Sequence, residues 1–158
     1  MASTVDDKPS IKTVFGPGLA SRQAIARVEV PTTGRGMVDI SGLVDRWLTS
    51  VQAVEGLLTV FLRHTSASLA VQENADPSAS ADLMDAYDRL VPMDWNWRHS
   101  LDGPADMAAH VKSALTGVNL AIPVVHGRAD LGTWQGIFVV EHRLEGHRRD
   151  VTLHYLGT

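Results

Sequence analysis

Gly132-Thr133-Trp134-Gln135-Gly136-Ile137 leads straight into Phe138-Val139-Val140, and the reading of this stretch decides the fold. A short apolar run of this kind is a buried strand, here Trp134 to Arg143. Trp134 and Gln135 are unusual openers for it. Gly132 and Gly136 on either side imply close backbone approach or an unusual φ. The hexapeptide is therefore either a functional segment or a hairpin entry with a half-buried Trp. Downstream, Arg149 to Leu156 is a second strand, joined to the first through Glu145-Gly146-His147 as a hairpin loop. Upstream, Asn119 to Val125 is a third, and Pro123 within it implies a sheet edge or a bulge.

The N-terminal half adds strands and a helix. Gln23 to Val30 alternates, with Ala24, Ala26, Val28 and Val30 on one face, as a half-buried strand does. Gly36 to Ile40 is a short strand after a Gly-containing turn. Ser41 is placed to cap a helix whose Leu43, Val44, Trp47, Leu48 and Val51 recur at helical spacing. Leu57 to Leu62 is too short and apolar for an ordinary helix and reads as a buried strand that delivers His64 at its end. Leu69-Ala70-Val71 is another short strand. Asp76-Pro77-Ser78 starts a helix that runs to about Leu90, with Asp76 as the cap. Asp102-Gly103-Pro104 starts another, and Gly117 stops it. Strands, helix, strands, two helices, strands is an α+β order.

Size and composition narrow the function. The chain of 158 residues, 44% hydrophobic, suits one globular domain, expected over residues 11–158 behind a disordered tail at 1–10. A formal charge of −4 supplies no attraction to nucleic acid or anionic membrane. The absence of cysteine excludes disulfides and thiolate metal sites and fits a reducing compartment. Residues 1–10 have no signal-peptide pattern, and no run approaches a membrane span, so a cytoplasmic location is expected. No phosphate-binding glycine loop of nucleotide type is present, so no nucleotide cofactor is expected.

Histidine dominates the candidate chemistry. Seven occur, three of them in motif-like contexts: His64 at a strand end, His99 in the loop after Trp95-Asn96-Trp97, and His110 on a helix. Three neutral imidazoles with an open fourth position form a catalytic zinc arrangement, but these meet only through the fold. Asp106, four residues before His110, shares its helix face. It either orients an imidazole from behind or simply occupies a favourable first-turn position. Glu73 and Asn74 precede the Asp76 cap. Glu73 is a general base, an oxygen ligand or a solvated loop charge; Asn74 is placed to orient a substrate amide or phosphate. Ser66, beside His64, is better read as binding a phosphate or water than as a nucleophile, because no nucleophile elbow accompanies it. Arg128, Arg143, Arg148, Arg149 and Lys112 are the candidate anion binders.

Four blocks carry a resemblance. His64-Thr-Ser-Ala-Ser-Leu69, Glu73-Asn-Ala-Asp-Pro77, His99 with Asp106-Met-Ala-Ala-His110, and Gly132-Thr-Trp-Gln-Gly136 closely resemble the YjbQ family. The resemblance implies a two-sheet β-sandwich with about three helices outside, assembled as a homotrimer. It implies that His64, His99 and His110 share one site, as catalytic groups and as ligands of a divalent metal, Zn or Mg, with Glu73 and Asn74 as catalytic partners. Ser66, Asp106, Thr133, Gln135 and Arg148 are then ligand-binding residues around a small phosphorylated metabolite. Members are often labelled thiamine-phosphate synthases, which join hydroxymethylpyrimidine diphosphate to thiazole phosphate and release pyrophosphate. A zinc-assisted hydrolase and a non-catalytic metabolite- or metal-binding protein are the alternatives.

Overall fold

The structure is a computed structural model that describes residues 18–158. The expected tail at 1–10 and the first residues of the expected domain lie outside the described residues. Strands β1 (Arg22–Pro31), β3 (Gly56–Leu62), β5 (Asn119–Val125), β6 (Arg128–Ala129) and β8 (Arg148–Gly157) form a five-stranded sheet in the order β1-β8-β3-β5-β6. Strands β2 (Gly36–Asp39), β4 (Ala67–Glu73) and β7 (Gln135–Glu141) form a second sheet in the order β2-β7-β4. Every strand pair is antiparallel. Helices α1 (Ser41–Ser50), α2 (Pro77–Leu90) and α3 (Pro104–Thr116) complete the α+β architecture.

One core lies between the sheets. Leu58, Val60, Leu62, Val151 and Leu153 from the larger sheet pack with Leu69, Ile137 and Val139 from the smaller, and α1 adds Val44 and Leu48. The other face of the smaller sheet is also covered: Phe138 and Val140 of β7 pack with Met84 of α2, and α3 crosses β4. Burial on both faces explains the unbroken apolar run Ile137–Val140, since neither side of β7 meets water. The outward face of β1, β3 and β8 carries exposed Ile25, Leu57 and Leu156.

Several expectations meet a different local structure. Glu145–His147 is not a hairpin loop. β7 pairs with β2 and β4 while β8 pairs with β1 and β3, so this segment carries the chain from one sheet to the other. Alternation identifies a strand but not its partner. Ser41 is the first residue of α1 rather than its cap; its hydroxyl accepts from Ile137 N–H at 2.8 Å, and Asp39 accepts from Ser41 N–H at 2.7 Å. The two-residue β6 was unforeseen, and it leaves Pro123 on a strand with almost nothing beyond it. The Asp76 cap, the Pro77 start and the Gly117 stop are present, the last with φ 92°.

Candidate functional site

Helix α3 builds the site. Its buried face, Ala108, Ala109, Lys112 and Ser113, lies against β4, and Ser113 donates its hydroxyl to Ala67 C=O at 2.6 Å. The same helix carries Asp106, 2% exposed, and His110 one turn later. His110 Nδ1 lies 2.8 Å from the Thr65 carbonyl, which only accepts, so Nδ1 carries the proton. His110 Nε2 then faces Asp106 Oδ2 at 3.1 Å. The loop between α2 and α3 brings His99, whose Nε2 lies 3.1 Å from the same Oδ2. Arg143, just past β7, pairs with Asp106 Oδ1. One ligand atom from each of His99, Asp106 and His110 lies within 4.8 Å of the others.

That convergence has an electrostatic consequence. With Nδ1 donating to Thr65, a neutral His110 points a lone pair at a carboxylate oxygen, which is repulsive. A positive charge between them removes the repulsion, either a proton on Nε2 or a cation on both groups. Zinc bonds of about 2.0–2.2 Å in tetrahedral geometry separate neighbouring ligand atoms by roughly 3.4 Å, close to the 3.1 Å between each imidazole Nε2 and Asp106 Oδ2. Two imidazoles and one carboxylate leave coordination positions open.

His64 stands apart from this group. Its Nε2 accepts from Asp150 N–H at 2.7 Å, which occupies the lone pair that a metal would need. Burial, followed by the Arg149 charge, lowers its pKa below the usual histidine value. The structure therefore does not bring the expected three histidines together: Asp106, not His64, stands with His99 and His110. His64 and His110 do line one cavity.

Glu73, Asn74, Thr133 and Gln135 do not join the site within one chain. Residues Ala67 and Glu141 pair at one end of β4–β7, and Glu73 and Gln135 pair at the other. Six residues of strand put the two ends about 20 Å apart. Gln135 Oε1 accepts from Gly132 N–H at 2.7 Å and closes the turn that holds exposed Thr133. Trp134, half-buried under the hairpin-entry reading, is 66% exposed. Gly136 does serve close approach, since a Cβ there would lie 2.9 Å from Asn74 Cβ. Arg148 is exposed and pairs with Glu29, away from the site.

Ser66 instead belongs to a buried network that sequence reading missed. Glu141 is 0% and Arg149 3% exposed at the side chain. Their two contacts are 2.7 and 2.6 Å, and Arg149 also reaches Ser66 at 3.2 Å. Burial alone would raise the Glu141 pKa. The Arg149 guanidinium, the Arg143 N–H and the Thr32 hydroxyl overcome it and hold the carboxyl below its usual range. The signal was Glu141 and His142 following directly on the buried apolar run Ile137–Val140.

On the helix side, His142 Nε2 lies 2.8 Å from Ser68 Oγ, and its Nδ1 is buried without a partner. Burial, then the Lys112 charge, lowers its pKa from 6.5 to about 4. The unfolded chain thus binds a proton that the folded chain refuses. Stability should fall as pH drops from about 6.5 toward about 4, by up to about 3 kcal/mol from this group. Urea unfolding across that range checks it, and His142→Leu should flatten the slope.

Comparison with known proteins agrees with the fold. The family model described as "UPF0047 protein YjbQ-like" matches residues 26–158. The chain belongs to this family. Family member UPF0047 protein sll1880 of Synechocystis is 45% identical over 129 residues, 81% of this chain and 88% of that one. UPF0047 protein YjbQ of Salmonella typhimurium is 42% identical over 118 residues, 74% of this chain and 86% of that one. The crystal structure of hypothetical protein APE1520 from Aeropyrum pernix K1 superposes with a TM-score of 0.75 at 36% identity, covering 87% of this chain and all of the other. Among the described residues of this YjbQ-like chain, no helix is long and apolar enough to cross a membrane.

Proposed function

We propose that this YjbQ-like protein is a metal-dependent enzyme of hydrolase type acting on a small phosphorylated metabolite, with its reaction centre at His99, Asp106 and His110. One observation carries the reading: two imidazole Nε2 atoms converge on one buried carboxylate oxygen while the His110 proton is committed to Thr65 C=O. The donor set favours zinc over magnesium, because magnesium prefers oxygen ligands. A cation there supplies Lewis-acid polarisation of a carbonyl or phosphoryl oxygen. The chain's own groups have separate tasks. Thr65 sets the His110 tautomer, and Arg143 holds Asp106 Oδ1 so that Oδ2 faces the imidazoles.

Calorimetric titration of chelator-treated protein with Zn²⁺ tests this, and one equivalent is expected. Zinc-stimulated cleavage of phosphate esters should follow, and failure to bind zinc would overturn the reading. A second reading is the thiamine-phosphate synthase reaction. Arg143, His99 and His110 gathered at one carboxylate favour it, since all three can neutralise a leaving pyrophosphate. Product formation from the two precursors tests it. The assembly we propose is a homotrimer, in which apolar Ile25, Leu57 and Leu156 would find cover. Light scattering should return three times the chain mass; a monomer would contradict it.

A further inference from the structure

Beside the proposed metal centre lies a cavity of about 650 Å³ between the end of β3 and the C-terminal half of α3. That volume falls in the range of small-molecule sites, roughly 300–1,000 Å³. His110 is common to the cavity and the centre; the rest of the lining is separate. Phe61, Ala114 and Val118 make an apolar wall, with buried Leu62 behind it. Arg63, His64 and Asn119 supply the polar end, and no Asp or Glu side chain lines the cavity.

The polar groups are committed unequally. Ser113 spends its hydroxyl on Ala67 C=O, and His110 spends Nδ1–H on Thr65 C=O. His64 accepts from Asp150 N–H through Nε2, so the proton of its neutral ring sits on Nδ1 and the ring has a donor left. Of the carboxylates that act on His64, Glu141 is engaged by Arg149, and Asp150 belongs to the neighbouring strand. Arg63, an exposed residue of the lining, has no ion-pair partner among the described residues. A guanidinium, an imidazole N–H and a carboxamide at one end of an apolar wall complement a single negative head group on an apolar body.

We infer that this cavity binds a small amphipathic anion, an aryl or alkyl phosphate or carboxylate, with its head group on Arg63 and His64 Nδ1–H and its body against Phe61, Ala114 and Val118. The site extends the metal-centre reading by placing a substrate class beside His110, but it needs no cation. The test is therefore run with chelator present, so its failure is distinct from a failure to bind zinc. Amide resonances of ¹⁵N-labelled protein are followed while phenyl phosphate, benzoate, inorganic phosphate and benzyl alcohol are added in turn. Phenyl phosphate or benzoate should shift the amides of residues 61–65 and 114–119, and the tighter of the two names the head group. Benzyl alcohol and inorganic phosphate should bind at least about tenfold more weakly, since each offers half of the recognition. Arg63→Gln should weaken the aryl anion about tenfold with an unchanged Tm. Ala114→Trp, which fills the cavity from the exposed side of α3, should abolish binding while the spectrum stays folded. Equal binding of benzyl alcohol, an unchanged titration with Ala114→Trp, or no shift by either aryl anion at millimolar concentration overturns the inference.

Discussion

Glu141→Gln is expected to cost about 3–5 kcal/mol of folding stability. The substitution preserves shape but removes the charge that two Arg149 contacts, the Thr32 hydroxyl and the Arg143 N–H all address. Arg149 is 3% exposed and cannot turn to water, so its guanidinium stays buried without a counter-charge. Removing both partners is a different matter. A Glu141→Leu, Arg149→Met double variant discards two desolvated charges together and should recover most of the loss. Urea unfolding of the three proteins at neutral pH measures this. A single-variant loss below about 1 kcal/mol would mean that the pair is solvated in a way this structure does not have.

Asp106→Asn is expected to weaken zinc binding by a hundredfold or more. Substitutions behind a ligand typically cost about 10–100-fold, and the ligand itself costs at least the upper end. An amide retains the shape and keeps one acceptor toward Arg143, so the helix remains in place. It removes the negative charge that would let two imidazole Nε2 atoms and a cation share one point. Calorimetry of the variant against the parent chain checks the change. Wild-type zinc affinity would place the cation elsewhere.

The fold was legible wherever one local rule acts alone. Alternation over Gln23–Val30 is β1, the Asp76-Pro77 pair starts α2, and Gly117 ends α3. Pairing was not legible. β7 and β8 follow one another closely, yet a strand buried on both faces must sit between neighbours, and β2 and β4 fill those places. The site divides in the same way. Asp106 and His110 were readable as a pair because a helix puts residues four apart on one face. His99 joins them through a loop whose path no periodicity encodes. His64 looked equivalent until the β3–β8 register set Asp150 N–H on its Nε2. The Trp134-Gln135 segment looked like a site because of its glycines. Gln135 instead uses its amide oxygen to close its own turn, and the glycine at 136 makes room for Asn74.

The imidazole nitrogens themselves decide the central claim. Long-range ¹H–¹⁵N spectra of the chelator-treated protein should be recorded before and after one equivalent of Zn²⁺. The Nε2 resonances of His99 and His110 should move to metal-bound positions, with the His110 proton retained on Nδ1, while His64 keeps its Nδ1–H tautomer and an unshifted Nε2. Zinc that moves His64 Nε2, or that leaves His99 and His110 where they were, would contradict a centre built on His99, Asp106 and His110.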